Sequence, residues 1–232
     1  MTVEVIVPWR SGCPHRDAAW QWAGAQWASL DLDLTVTVAE APPGEWCKAA
    51  AVTPAVRASK ASIVVVADAD VWCDRIPEAI QAVEDGKADW AVPHERVRRL
   101  NPTSAAQVLA GAHPSTIDDD GLDEHPRRGI IGGGIVILQA SVANAVPLDP
   151  RFVGWGQEDH SWGYALITLA GEPWRGTSPL WHLWHPPQRR LSRAAGSHAS
   201  LALVTRYEAA YRDSDAMAAL VAEIPQEVPA CP

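Results

Sequence analysis

The sequence is poor in several residue types, and each shortage excludes a class of protein. Its four Cys residues have neither the C-x-x-C spacing of a metal or redox site nor the density of a disulfide scaffold, so we expect free thiols. No stretch approaches the roughly 20 apolar residues of a membrane span. The N-terminus lacks the basic region and cleavage site of a secretory signal, which indicates a cytoplasmic protein.

Basic residues and non-indole aromatics are also scarce. The 19 Lys and Arg are outnumbered by 28 Asp and Glu, and the formal net charge is −9. A nucleic-acid polymer is therefore not an expected partner, because such binding depends on many Lys and Arg contacts to phosphate. The sequence has only one Phe and three Tyr, but twelve Trp. The Trp excess is consistent with ordinary core and rim packing, and also with flat faces on which sugars stack.

Hydrophobic residues are abundant, at 47% of 232, and they follow an alternating pattern of strands and helices. The predicted strands are 3–8, 34–39, 62–67, 90–93, 130–138 and 180–184. The predicted helices are 17–30, 46–59, 77–85, 156–170 and a last one over 198–222. Strand–helix alternation over the first 70 residues implies right-handed βαβ units and a doubly wound sheet.

We therefore expect one α/β domain with a mixed, mainly parallel sheet flanked by helices. It spans 1–225, with one half over 1–100, a second half over 101–197 and a C-terminal helix over 198–225. The acidic run at 118–120 is expected to be a solvated loop, and 226–232 a mobile tail.

Two carboxylates, Asp68 and Asp70, follow the most hydrophobic predicted strand. Ligands of open α/β sheets bind just beyond the carboxyl ends of strands. Two acids there need a cation or strong hydrogen bonds, and a hard divalent ion that also holds a diphosphate meets that need. A solvated turn in which an Asp caps the next helix is the alternative.

Three further groups of polar residues carry possible chemistry. Glu158 and Asp159 begin a predicted helix beside a Gly-Trp-Gly turn; a carboxylate there suits a general base, although acids at this position also simply favour the helix dipole. His182 and His185 stand at a strand end, where an imidazole either ligates a metal or makes a structural hydrogen bond. Arg10 ends the first strand, where its guanidinium can reach a nucleobase or phosphate.

In this order the pieces resemble the GT-A glycosyltransferases. They are closest to the branch with the animal β-galactosyltransferases, the polypeptide N-acetylgalactosaminyltransferases and the bacterial chondroitin-type polymerases. The resemblance covers residues 3–190, and its most specific part is the string Gly-Trp-Gly-x-Glu-Asp. The matching segments are 5–10, 65–70, 132–134, 152–159 and 182–187. The sequence shows no membrane anchor, luminal disulfides or lectin domain like those of the animal relatives. In this respect it resembles a compact bacterial or phage enzyme. The stretch around Lys48 and Arg57 lacks the Asn-rich pattern of relatives.

The resemblance implies transfer of a sugar from a nucleotide sugar, with a UDP-sugar favoured, to a hydroxyl of a glycan or protein acceptor. It implies Mn²⁺ or Mg²⁺ as cofactor. The implied donor-binding residues are Pro8, Arg10, Glu40, Asp68, Asp70, Gly133 and Gly134. The implied acceptor-binding residues are Trp155, Gly156 and Glu158, and the implied metal ligands are Asp70, His182 and His185, with His182 favoured of the two imidazoles. Asp159 is the implied catalytic base.

Two expectations about mechanism follow. The second acid, Asp159, favours an inverting transfer, with Glu158 orienting the acceptor sugar. The segment 186–198, with Arg189 and Arg190, is expected to act as a lid over the diphosphate, although an ordinary basic loop has the same composition. Functions of other classes stay open: a metal-dependent hydrolase or nucleotidyltransferase acting on nucleotide sugars, and a catalytically silent sugar-binding domain.

Overall fold

A mixed β-sheet forms the centre of the protein, in a computed structural model that describes residues 2–129, 132–154, 156–186 and 197–225. Its strands are β1 Val3–Trp9, β2 Leu34–Glu40, β3 Ile63–Ala67, β4 Val71–Trp72, β5 Trp90–Arg99, β6 Arg127–Arg128, β7 Ile135–Gln139 and β8 Trp174–His182. The order across the sheet is β2-β1-β3-β7-β5-β8-β4, and β6 adds to β5.

Most paired positions of the sheet lie in three parallel pairs, β1 with β2, β1 with β3 and β5 with β8. The strand β7 runs antiparallel between β3 and β5, and β4 and β6 also pair antiparallel with their neighbours. The predicted α/β class with a mixed, mainly parallel sheet is therefore confirmed. All five residues of β3 are buried, because this central strand contributes side chains to the hydrophobic cores on both faces of the sheet.

Helices cover the two faces of the sheet. They are α1 Pro14–Ser29, α2 Lys48–Ala58, α3 Ile76–Glu84, α4 Pro102–Leu109, α5 Ala140–Ala145, α6 Glu158–Ala170, α7 Ser197–Ala210 and α8 Ser214–Ala222. One face packs against α1 and α3, and the other against α2, α5, α6, α7 and α8. The helix α6 is fixed by Trp162 and Leu166, which are buried in that second core. Burying such a side chain contributes about 1.5–3 kcal/mol, so the start of α6 is held firmly at the sheet.

The predicted elements differ from the observed ones in several places. The single helix predicted over 198–222 is wrong: the chain breaks where Arg212 adopts a φ of 65° and Asp213 caps α8 by accepting the backbone N–H of Ala216. The strand predicted over 90–93 extends to Arg99 in the structure, and the strand predicted over 180–184 begins earlier, at Trp174. The helices α4 and α5 were not predicted. The acidic run contains a short 3-10 turn over Asp119–Gly121. The predicted mobile tail, 226–232, lies outside the described residues.

None of the helices in the described ranges combines the length and apolar character needed to cross a membrane. Among the described cysteines, Cys13, Cys47 and Cys73 form no disulfide, in agreement with the prediction of thiols.

A buried polar network fastens α7 to the loop before α6. The carboxylate of Asp149, with a side chain 3% exposed, accepts two hydrogen bonds from the guanidinium of Arg151 and one from the Tyr207 hydroxyl at 2.8 Å. Burial raises the pKa of Tyr207, and the negative charge of Asp149 raises it further, so the hydroxyl keeps its proton and donates. This network holds the C-terminal helices against α6.

The Tyr207→Phe variant tests that attachment. Losing the hydroxyl removes one hydrogen bond to a buried carboxylate, and we expect the free energy of unfolding to fall by about 1–3 kcal/mol. Tyr211→Phe is the matched control, because Tyr211 is partly exposed and its ring packs at a tilt against Tyr164. Urea unfolding measures both variants, and equal stability of Tyr207→Phe and the wild type would show that the network does not stabilise the fold.

Candidate active site

The candidate site lies at the sheet edge where β1, β2 and β3 end. After Ala67 the chain turns through Asp68 and Asp70 into β4, which pairs with the end of β8. Backbone hydrogen bonds fix this turn: Asp68 N–H donates to Gly134 O at 2.8 Å, and Leu183 N–H donates to Asp70 O at 2.9 Å. The two predicted acids are therefore tied to the glycine loop on one side and to the histidine segment on the other.

Three buried side chains converge on one point beside this turn. Ligand atoms of Asp70, His182 and His185 all lie within 4.8 Å of one another. The Nε2 atom of His185 is 3.3 Å from Asp70 Oδ2, and that of His182 is 3.7 Å from Asp70 Oδ1. The sequence favoured His182 as ligand, whereas the structure brings both imidazoles to the carboxylate. One carboxylate and two imidazoles form a donor set that fits a divalent first-row transition ion.

The protonation of these groups suits metal binding. Burial lowers the pKa of His182 to about 4, so its ring is neutral at pH 7 and keeps a lone pair. Burial alone would raise the pKa of Asp70, but His182, His185 and Arg16 together hold it below its usual value. The Nδ1–H of His185 donates to the Pro186 carbonyl at 2.9 Å, which leaves Nε2 of His185 facing Asp70. A hydrogen bond on the far nitrogen is the usual way a ligating histidine is oriented.

A buried lysine joins the two acidic motifs. Lys48, the first residue of α2, is 6% exposed, and its Nζ lies 2.9 Å from Asp68 Oδ1 and 2.9 Å from Asp159 Oδ1. Burial alone would lower the pKa of Lys48, but Asp159 and Asp68 outweigh burial and raise it, so the side chain is an ammonium. The carboxylates of Asp68 and Asp159 remain 34% and 23% exposed. Both are therefore held by Lys48 and still accessible from the cleft.

The pair at the start of α6 is electrostatically strained. Burial raises the pKa of Glu158 to about 7, and the charge of Asp159 adds to this effect. Burial also raises the pKa of Asp159, although Lys48 acts in the opposite direction. In the described part of the chain, the buried Oε2 of Glu158 has no hydrogen-bond partner. Perturbed carboxylates in a cleft are typical of groups that exchange protons.

The glycine loop lies directly against Asp159. A Cβ atom on Gly132 would collide with the Asp159 carbonyl oxygen, and one on Gly133 would lie 2.7 Å from Asp159 Oδ2. His94, which is fully buried, supports the loop through a 3.1 Å contact between its Nε2 and the Gly133 carbonyl. Burial lowers the pKa of His94 to about 4, so a neutral ring donates this hydrogen bond.

The turn before α6 has an unusual backbone. The φ angles are 89° at Gly154, 100° at Gly156 and 78° at Gln157. Residues other than glycine rarely adopt positive φ values of this size. The N–H of Gly154 donates to Trp46 O at 2.7 Å, which anchors the turn to the loop before α2. Gly156 lies just before α6, and its predicted contact with the acceptor stays a prediction. Trp155, the predicted acceptor platform, lies outside the described residues.

The predicted nucleotide side of the site lies on the same sheet edge. Pro8 and Glu40 stand near the ends of β1 and β2, and Glu40 pairs in register with Trp9. Arg10 donates to the carbonyls of Pro42 and Gly44 and lies over the Trp46 ring, 5.6 Å from its centroid. It thus braces the 41–46 loop, and its predicted contact with a nucleoside stays a prediction.

Sequence reasoning missed several residues of the site. Lys48 and His94 carry no local motif, and Arg16 and Arg99 are sequence-distant cations whose charges reach Asp70. Only the fold brings them together, so a single sequence offers no signal for them. Residues 187–196 of the predicted lid, including Arg189 and Arg190, lie outside the described residues.

Comparisons with known proteins identify the fold but not the reaction. No family model matches the sequence, and no curated protein sequence matches it. Glucosyl-3-phosphoglycerate synthase from Mycobacterium tuberculosis, solved with Mn²⁺, UDP-glucose and phosphoglyceric acid, superposes with a TM-score of 0.51 at 14% identity; the match covers 91% of this chain and 79% of that one. GalNAc-T7, solved with UDP, GalNAc and Mn²⁺, superposes with a TM-score of 0.54 at 12% identity, over 94% of this chain and 54% of that one. The chain has the GT-A fold of these glycosyltransferases.

Proposed function

We propose that the protein is a metal-dependent glycosyltransferase that moves a sugar from a UDP-sugar to an acceptor hydroxyl. The observation that carries this proposal is the Lys48 ammonium, which joins Asp68 beside the Asp70–His182–His185 triad to Asp159 at the head of α6. The proposed metal ligands and the partly buried carboxylates Glu158 and Asp159 thus share one cleft. The neighbours solved with UDP and Mn²⁺ support the same assignment for donor and cation.

The metal side of the reaction rests on the triad. Asp70, His182 and His185 would hold a divalent cation, whose chemistry is neutralisation of the charge that develops on the departing diphosphate. Two imidazoles favour Mn²⁺ over Mg²⁺, because Mg²⁺ prefers oxygen ligands in octahedral geometry. Asp68, one residue away from this triad and held by Lys48, is placed to accept hydrogen bonds from the ribose or donor sugar.

The acceptor side of the reaction rests on α6. Lys48 binds Oδ1 of Asp159, and Oδ2 lies against the Gly133 backbone, so this side chain is held in place beside a cation that favours its ionised form. We assign Asp159 as the base that takes the proton of the incoming hydroxyl. Glu158, with its pKa near 7 and an unpartnered oxygen, orients the acceptor sugar by hydrogen bonds. A base on the side of the sugar opposite the leaving group produces inversion.

Metal binding is tested with Asp70→Asn, His182→Ala and His185→Ala. Asp70→Asn should abolish Mn²⁺-dependent UDP binding, because the amide lacks the charge that the cation requires. Each His variant should weaken Mn²⁺ binding by about 10-fold or more, a loss at least as large as that for an outer-shell partner. Calorimetry measures both, with the exposed His113→Ala as control. Unchanged UDP binding in Asp70→Asn would remove the triad from the proposal.

The base is tested with Asp159→Asn. The amide keeps the shape but cannot take the proton, so kcat should fall by about 10²–10⁴ while UDP affinity stays unchanged. Asp215→Asn, the same change in the first turn of α8, is the control. Glu158→Gln should raise KM for the acceptor at least as much as it lowers kcat. Near-normal turnover of Asp159→Asn, or an anomeric NMR spectrum with the donor's own configuration, contradicts the assignment. Free sugar formed in place of glycosylated acceptor would indicate the hydrolase alternative.

The role of Lys48 predicts a pH effect. The base works only when ionised, and burial raises the pKa of Asp159, so kcat/KM should rise with pH as Asp159 ionises, at a higher pH than for an exposed aspartate. Lys48→Met removes the cation that lowers the Asp159 pKa, which should shift this acidic limb upward by about 1 unit or more. Lys48→Arg keeps the charge and should restore the limb. If Lys48→Met loses stability without moving the limb, the lysine is structural only.

A further inference from the structure

Two arginines oppose each other where the two-residue strand β6 pairs with β5. The strand β6 consists of Arg127 and Arg128, and its antiparallel pairing with β5 places Arg128 directly opposite Arg96. Both side chains are exposed, and within the described ranges neither has a carboxylate partner. Like charges at directly opposed positions destabilise a strand pair. This arrangement therefore carries an electrostatic cost that an anion bound between the two would offset.

More positive charge is crowded around this pair. Arg175 on β8 donates to the Gly129 carbonyl at 3.2 Å. Burial lowers the pKa of Arg175 and the charge of Arg128 lowers it further, whereas the Glu95 carboxylate acts in the opposite direction, so both Arg128 and Glu95 lie near this guanidinium. We call Arg96, Arg128 and Arg175 the arginine rim. It stands out in a chain with a formal net charge of −9.

The rim lies on the face of the sheet that carries the proposed base. Val97 packs in the core beneath α1 and α3, so its strand neighbour Arg96 points to the opposite face. That opposite face is the one covered by α6, which begins with Glu158 and Asp159. Arg175 pairs in register with Val92, a residue of the same core as α6. The rim is thus on the same face of the sheet as Asp159.

The rim is also connected to the glycine loop. Gly129, held by Arg175, precedes the Gly132–Gly134 loop that packs on Asp159, and His94 from β5 supports that loop. An acceptor group bound at the rim would therefore be positioned relative to the base by the same strand, β5. The donor diphosphate is expected elsewhere, beside Asp70 and the histidines.

We propose that the arginine rim binds an anionic group, phosphate or carboxylate, on the acceptor. Guanidinium groups bind both through paired N–H donors, and several such groups in a row select an anionic over a neutral sugar. This inference rests on the proposed glycosyl transfer and adds the chemical class of the acceptor.

The test measures binding of three probes to the protein saturated with Mn²⁺ and UDP, so that the diphosphate site is filled. The probes are glucose 6-phosphate, glucuronate and uncharged glucose, titrated by calorimetry. The variant is Arg96→Glu/Arg128→Glu, with Arg96→Gln/Arg128→Gln as a milder second variant. The matched control is Lys60→Glu/Lys87→Glu, which makes the same charge change at exposed residues before β3 and β5, at the opposite edge of the sheet.

We expect at least one anionic probe to bind more tightly than glucose, and the arginine variant to weaken that binding by about 10-fold or more while the control keeps it. The preferred probe distinguishes phosphate from carboxylate. Equal affinity for glucose, no binding of either anion, or equal anion binding in the arginine and control variants would each overturn the inference. Failure of wild-type protein to bind UDP with Mn²⁺ would instead refute the proposed function, and the inference with it.

Discussion

The candidate site depends on one ion-pair network, in which the buried Lys48 binds both Asp68 and Asp159. An ammonium that is 6% exposed is stable only because two carboxylates lie 2.9 Å away from it, and removing one partner of such a group typically costs about 3–5 kcal/mol. The three residues come from the start of α2, the end of β3 and the start of α6. This ion-pair network therefore fixes two helices to the sheet edge and sets the position of both acidic motifs.

The close approach of backbone to α6 is the second constraint, and it explains the run of glycines. Side chains at Gly132 and Gly133 would collide with Asp159, and one at Gly134, where φ is 74°, would collide with Leu180. Bare backbone is needed there so that the loop reaches the carboxylate, and the buried His94 supports it through the Gly133 carbonyl. Without this packing, Asp159 would be held by Lys48 alone.

How much could be predicted from the sequence follows from the range of each interaction. The run Ile63–Ala67 has the composition of a buried parallel strand, so the fold class and the place of Asp68 and Asp70 were readable locally. The break between α7 and α8 was not, because it depends on the left-handed backbone of Arg212 inside an otherwise helical pattern. Lys48 begins an Ala-rich helix and looks like a solvated helix end; only the fold places it between two acids.

The charge distribution around the proposed site predicts that cation and nucleotide binding are coupled. The carboxylates of Asp68, Asp70 and Asp159 lie in one cleft, and Lys48 compensates two of them. A diphosphate that approaches Asp70 would meet a negative charge, and two unit charges 4 Å apart repel by about 4 kcal/mol at an effective dielectric constant of 20. The nearby charges of Arg16 and Arg99 reduce that repulsion but are already engaged around His185 and Glu124. A divalent cation held by Asp70, His182 and His185 would change the sign of that interaction. Metal and nucleotide are therefore expected to bind together. An anionic acceptor at the arginine rim, in contrast, needs no cation, because arginines of β5, β6 and β8 supply the positive charge.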